Sequence, residues 1–192
     1  MLEVDFTHQP ELLTDRLRLR RLLLTDSARL HAIRSDPAVM KHIGRPVSTS
    51  EQDAIDLIQR IEADRSENKG MTWAIEQKEA PGLIGTIGYY RLKPEHHMTE
   101  VGYALGSAHW GRGLMAEALE AVVHCAFERY RFHRVEAITD PANAASRRLL
   151  EKCGFQLEGM LRENYLWNGK FLGSAIYGRL ATVADHSGHP VG

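Results

Sequence analysis

Two glycines one residue apart, Gly111 and Gly113, stand directly before a long amphipathic stretch that opens Leu114-Met115-Ala116. A loop running into a helix in this way leaves backbone N–H groups without intrahelical partners, and the helix dipole adds positive potential at the same end. Together they suit an anion, above all a phosphate. Glycine removes the Cβ that would keep a diphosphate off the backbone. Arg112, between the two glycines, can add a charge-assisted contact. The same letters also satisfy the dinucleotide pattern Gly-x-Gly-x-x-Ala, with Asp140 as the acidic residue at the end of the next strand. Against that reading, a dinucleotide fold uses two strand–helix–strand halves and this chain offers one, preceded by antiparallel strands. Two glycines can also do no more than turn a chain into a helix, so the loop takes its meaning from its surroundings.

Other reactive side chains point elsewhere. His96 and His97 are adjacent rather than spaced as ligands, and no cysteine or carboxylate cluster completes a metal site, so no metal is expected. Cys125 and Cys153 fall on or beside helices among apolar neighbours and read as small buried hydrophobes.

The elements that must position the glycine loop follow from periodicity. Arg16–Leu22 alternates polar and apolar, as a strand with one buried face does. Helices are expected over Thr25–Ser35, stopped by Asp36-Pro37, and near residues 50–66, opened by the capping-box letters around Ser50. Met71–Gln77, Leu83–Leu92 and Thr99–Gly106 read as an antiparallel meander. Gly113–Tyr130 is an amphipathic helix, His133–Thr139 a strand, and Ala144–Lys152 a short helix after the turn Asp140-Pro141-Ala142-Asn143. Phe155–Arg162 and Gly169–Leu180 close the pattern as two more strands. The fold class is α/β (α+β): a mixed, mostly antiparallel sheet of about seven strands with about four helices.

With 24 Lys+Arg against 25 Asp+Glu in 192 residues, the net charge is −1, and binding of nucleic acid through general basicity is not expected. No run approaches the roughly 18 apolar residues of a membrane helix, and the first residues lack a basic, apolar leader pattern. With only two cysteines, neither in a Cys-x-x-Cys pair, a cytoplasmic setting is expected.

The ordered set of motifs resembles the GNAT superfamily of acyl-CoA-dependent N-acyltransferases, most closely the subgroup that includes the ribosomal-protein alanine N-acetyltransferases. The residues that carry the resemblance are Thr14-Asp-Arg-Leu-Arg-Leu-Arg20, Glu100-Val-Gly-Tyr103, Trp110-Gly-Arg-Gly113 with Glu117-Ala118, Phe132-His-Arg-Val135, Pro141-Ala-Asn143 with Ser146, Gly154-Phe155, and Glu158-Gly159 with Leu161-Arg162. The resemblance runs from about Thr14 to Leu180. It implies a leader over residues 1–13, a domain over 14–180 and a flexible tail over 181–192.

What the resemblance implies can be set on residues. Gly111, Arg112, Gly113, Leu114, Met115 and Ala116 would wrap the pyrophosphate of acetyl-CoA, with backbone amides as donors. Ala108 stands where the family often has Gln or Arg, so that side-chain contact is missing. The strand Glu100–Leu105 should splay from His133–Thr139, with pantetheine in the gap bonding to backbone near Leu105. Asn143 matches the asparagine that contacts the cofactor. A base must take a proton from the acceptor ammonium, and the implied group is Glu100, with Glu163 as the alternative. Ser146 matches the acid proposed for the leaving thiolate, although Ser also favours helix starts for their own sake. Tyr103 reads as a packing residue that could also serve as acid.

The implied activity is transfer of an acetyl group to a primary amine such as a protein N-terminus. A small-molecule amine (amino acid, polyamine or aminoglycoside-like) and a non-catalytic acyl-CoA sensor are the alternatives. The family often dimerises, so a homodimer is expected. The acidic residues Glu62, Asp64 and Glu67 hint at a cationic acceptor.

Overall fold

A computed structural model describes residues 2–182. Eight strands form one sheet: β1 (Leu12–Leu13), β2 (Leu17–Arg21), β3 (Met71–Gln77), β4 (Ala80–Lys93), β5 (Met98–Leu105), β6 (Arg134–Thr139), β7 (Gln156–Trp167) and β8 (Lys170–Leu180). Their spatial order is β1-β2-β3-β4-β5-β6-β8-β7. Every pairing is antiparallel except β5 with β6. Five α-helices cover it: α1 (Ser27–Ser35), α2 (Pro37–Met40), α3 (Glu51–Ser66), α4 (Leu114–Glu128) and α5 (Ala144–Lys152).

Alternation along the strands divides the apolar side chains between two cores. Leu17, Leu19, Trp73, Ile75, Ile87 and Val101 face α4 and α5, where Leu119, Val122 and Ala126 are fully buried. Ala74 and Leu83 face the other way, against Leu30 and Ile33 of α1 and Ala54 and Ile58 of α3. Helix α3 starts as its letters require, with Ser50 and Asp53 capping each other.

Two elements exceed the sequence expectation of about seven strands and four helices. Strand β1 has two residues, too short for any periodicity to show. Helix α2 is a single turn opened by Asp36, whose side chain accepts from the Ala38 N–H at 2.8 Å. Asp36-Pro37 does stop α1, and it starts a second helix at the same point, since Pro is well placed at a first helical position. Before the expected domain start, Phe6 is fully buried, and its carbonyl accepts from Arg65 at 3.0 Å. Of the expected tail, residues 183–192 lie outside the described residues. Among the described residues, no helix is long and apolar enough to cross a membrane.

Candidate active site

The glycine loop follows β5 directly. Gly111 and Gly113 sit at φ +72° and +74°, the left-handed region that L side chains avoid. Gly113 is the N-cap residue of α4. Among the described residues, none accepts a hydrogen bond from the backbone N–H of Gly111, Arg112, Gly113, Leu114, Met115 or Ala116. The loop therefore presents a row of free donors at a helix N-terminus, which fits a diphosphate.

The conformation is anchored from the N-terminal strand. Glu117, in the first turn of α4, accepts from the Thr14 hydroxyl, from the Arg16 N–H at 2.8 Å and from the Arg16 guanidinium at 2.6 Å. Arg16 also donates to the Arg112 carbonyl at 2.9 Å. So Thr14, Arg16 and Glu117, more than 100 residues apart in the chain, form one clamp under the loop. Burial pushes the Glu117 pKa up, but the bonds from Thr14 and Arg16 outweigh it and hold the carboxylate below its usual range.

Strands β5 and β6 pair only over Met98↔Arg134, Thr99↔Val135 and Glu100↔Glu136. Beyond Glu100 they separate, which is the expected splay. The Gly106 N–H bonds to Ile84 on the β4 side at 2.9 Å. Backbone groups alternate sides along a strand, so those of Val101, Tyr103 and Leu105 point into the gap. The Leu105 carbonyl is already bonded to the Trp110 indole at 2.8 Å, leaving its N–H as the group Leu105 can offer a ligand.

On the α4/α5 side, the gap is bridged by two hydroxyls. Tyr103 Oη and Ser146 Oγ are 2.8 Å apart. Burial pushes the Tyr103 phenol above its ordinary pKa, against the bond with Ser146, which lowers it. The Tyr103 ring packs on the core as the sequence implies, but its hydroxyl meets Ser146, a contact between residues 43 positions apart. Asn143 caps α5: its side-chain oxygen accepts from the Ser146 N–H at 3.0 Å. That leaves the Asn143 amide NH₂ for a ligand.

Glu100 lies on the opposite face of the sheet, at the apex of the splay. One of its oxygens accepts from Arg91 at 2.7 Å, and its side chain is 16% exposed. Arg91 reaches it from an irregularity in β4, where the register shifts and Arg91 itself takes φ +46°. Glu163 is exposed at φ +50° in the bulge of β7, on a groove of about 720 Å³ shared with Pro141. The two carboxylates thus occupy different regions of the molecule.

One pair has no counterpart in the sequence reading. His42, in the loop after α2, bonds through Nδ1 to Asp140 at 2.7 Å. Since a carboxylate only accepts, Nδ1 carries the hydrogen. Asp140 was legible as the first residue of a turn and as the acidic letter of a dinucleotide pattern. Its two oxygens instead hold His42 and the Ala142 N–H. At the other lip of the gap, Ser107 donates to Asp36 at 2.6 Å. The segment from Asp36 to His42 is therefore fastened to both lips. Cys125 and Cys153 are buried, and burial pushes both thiols up to about 11. Among the described residues, no cluster of His, Cys, Asp or Glu gathers at metal-binding distance.

The family model "Acetyltransferase (GNAT) domain" matches residues 16–156, spanning Arg16 and Glu117 of the clamp, the loop, the splay and Ser146. The chain belongs to the GNAT acetyltransferases. The GNAT chain is 36% identical over 168 residues to the uncharacterized N-acetyltransferase YoaA of Bacillus subtilis, covering 88% of this chain and 95% of that one. It is 30% identical over 98 residues to the ribosomal-protein-serine acetyltransferase of Escherichia coli, covering 51% of this chain and 55% of that protein. The crystal structure of RimL, a ribosomal L7/L12 alpha-N-protein acetyltransferase in complex with coenzyme A, superposes with a TM-score of 0.81 at 19% identity, over 89% of this chain and 98% of that one. This GNAT is an acetyl-CoA-dependent acetyltransferase, and the dinucleotide reading of its glycine loop falls away.

Proposed function

We propose that this GNAT acetylates a primary amine, the N-terminal amine of a protein or peptide, with Glu100 as base and Ser146 as acid. The observation that carries the reading is the Tyr103–Ser146 bridge at 2.8 Å behind the splay. Two hydroxyls in contact beside the gap support a proton donor for the leaving sulfur. The names of the ribosomal-protein relatives support a protein N-terminus as acceptor.

The free N–H groups of Gly111–Ala116 hold the cofactor diphosphate, Arg112 adds charge, and Asn143 contributes its NH₂. Bound acetyl-CoA supplies an activated acyl carbon and a thiol leaving group. Glu100 takes one proton from the acceptor ammonium, directly or through water, and frees the lone pair. The nitrogen forms a bond to the acyl carbon as the carbon–sulfur bond breaks. A backbone N–H of Val101, Tyr103 or Leu105, aimed into the gap, steadies the oxygen charge that develops. Tyr103, kept protonated by burial, donates to Ser146, which turns the Ser146 hydrogen toward the sulfur. The second nitrogen proton balances the one delivered to the thiolate, so one proton is released per turnover.

A cytoplasmic setting and a homodimer belong to the same proposal. The dimer would use the edge strand β7, which exposes Met160, Leu161 and Leu166.

The test is isothermal titration with acetyl-CoA, followed by thiol-release assays over peptide N-termini, amino acids, polyamines and aminoglycosides. Peptide turnover that drops in Glu100→Gln with unchanged acetyl-CoA affinity supports the proposal. Binding without turnover of any amine would make the chain an acyl-CoA sensor. Turnover confined to small amines would replace the protein acceptor.

A further inference from the structure

The charge pairing on the α1/α3 face of the sheet carries information about the acceptor. Carboxylates near the gap already have side-chain partners: Glu100 has Arg91, Glu136 has Arg134, and Asp140 accepts from the His42 imidazole. Glu62, one of the acidic residues that hinted at a cationic acceptor, is bonded to Arg21 and Arg65, and Glu67 to Lys69. Of Glu62, Asp64 and Glu67, Asp64 lacks such a partner among the described residues.

Three arginines of the same region are the reverse. Among the described residues, Arg34, Arg45 and Arg60 have no ion pair, and nothing accepts a hydrogen bond from their side chains. Arg34 is the telling one. It shares with Leu30 and Ile33 the i, i+3, i+4 stripe that α1 turns toward the sheet. It is half-buried there, and burial lowers its pKa, with Arg45 and Arg60 adding to the effect. The backbone bond from the Ser48 N–H to the Arg34 carbonyl, 3.0 Å, ties the loop carrying Arg45 to this helix end. Stripping water from a guanidinium without supplying an acceptor is costly.

The position relative to the gap is set by Tyr90. It stands opposite Glu100 in the β4–β5 register. Its ring lies over Gly102, 3.1 Å from where a Cβ would be, so a side chain there would have to push the ring aside by a few tenths of an ångström. Desolvation raises the Tyr90 hydroxyl pKa, the positive charges of Arg34 and Arg45 act against that, and the negative charge of Glu100 adds to it. Ile33, next to Arg34 on α1, packs in one cluster with Ala104 of β5, which lies on the same strand face as Glu100, so α1 carries Arg34 over the Glu100 side of the sheet.

We propose that Arg34, with Arg45 beside it, binds an anionic group on the acceptor, so that the substrate is a primary amine bearing a carboxylate or phosphate. This deepens the amine-acetyltransferase reading and rests on it. Arg34 supplies a planar fork that matches either oxyanion. An acidic N-terminal peptide and a small aminoalkyl phosphate or amino acid share this chemistry.

The experiment is steady-state kinetics at saturating acetyl-CoA with matched acceptors. Peptides whose first residues include Asp or Glu are set against their Asn or Gln counterparts, phosphoethanolamine and free aspartate against ethanolamine, and spermidine serves as the cationic arm. The expected result is kcat/KM at least tenfold higher for the anionic member of a pair, carried by KM. The peptide and small-molecule arms identify the source of the anion. Arg34→Gln should cut that preference about ten- to hundredfold, with Arg34→Lys recovering part of it and acetyl-CoA affinity unchanged by titration. Arg45→Gln, at an exposed position, repeats the test should Arg34→Gln fail to fold. Equal rates within pairs, a preference for spermidine, or a preference that survives both substitutions would overturn the inference while leaving the acetyltransferase standing. Failure of every acceptor would instead remove the amine-transfer proposal itself.

Discussion

Replacing Glu117 by Gln removes one charge from the clamp under the cofactor loop while keeping its shape. The carboxylate receives the Thr14 hydroxyl, the Arg16 N–H and the Arg16 guanidinium. The Gln oxygen can keep the first two, but its NH₂ faces the guanidinium. Hydrogen bonds to charged groups are worth about 1.5–3 kcal/mol each. The Arg16 side chain is 49% exposed, so water takes over much of what the guanidinium loses. The expected net loss is about 2 kcal/mol, or a fall in Tm of about 4–8 °C for a chain of this length. Because the folded-state pKa of Glu117 is depressed, its contribution is complete above the unfolded value near 4.3 and disappears as pH falls through the lower folded value. Thermal melts of both proteins from pH 7 to pH 3 should show a gap that closes at the acid end. Arg16 also fixes the Arg112 carbonyl, so titration should show weaker acetyl-CoA binding by the variant. A Tm unchanged at pH 7, or a gap just as wide at pH 3, would refute the reasoning.

Three further outcomes are expected. Ser146→Ala and Tyr103→Phe should each lower kcat about 10- to 100-fold with acetyl-CoA affinity unchanged, and the double variant should be little worse than either single one; additive losses would mean the two hydroxyls do not act together. Gly113→Ala forces an L side chain to φ +74° at a cost of about 1–2 kcal/mol. Its new Cβ would meet nothing nearer than Arg16 at 3.6 Å, so weakened acetyl-CoA binding would come from conformation alone, and normal affinity would argue against a fixed loop. Asn143→Ala removes the α5 cap and should cost about 1 kcal/mol in denaturant melts, with weaker cofactor binding only if the NH₂ also contacts it.

The glycine loop and the splay were legible because each rests on local rules. Gly111 and Gly113 announce positive φ, and the change from a meander to a strand–helix–strand pattern forces one parallel pair, which is where β5 and β6 part. The motif Thr14–Arg20 was visible only as a strand carrying a family resemblance. That its first residues grip Glu117 depends on a contact across 103 residues, which periodicity does not encode. Tyr103 was placed correctly as a packing ring, but the partner of its hydroxyl is set by how far the strands diverge. The roles of His42 and Arg34 were hidden for a related reason. They flank α2, Arg34 in the last turn of α1 and His42 just after α2, and a four-residue helix leaves no pattern to read. A list of letters also does not show which of Glu62, Asp64 and Glu67 already have basic partners, as Glu62 and Glu67 do.

The segment from Asp36 to His42 is fastened to both sides of the gap, by Ser107 on one and Asp140 on the other. Among the described residues, no ladder of sheet hydrogen bonds beyond Glu100 fixes how far β5 and β6 stand apart. The length of this short crosspiece does so instead, together with the Tyr103–Ser146 contact. Asp140 also holds the turn that leads into α5, so a pull on His42 is transmitted to Ser146. The mouth that admits the amine and the hydroxyl that serves the thiol are thus gauged by the same seven residues, and a single insertion there would detune both.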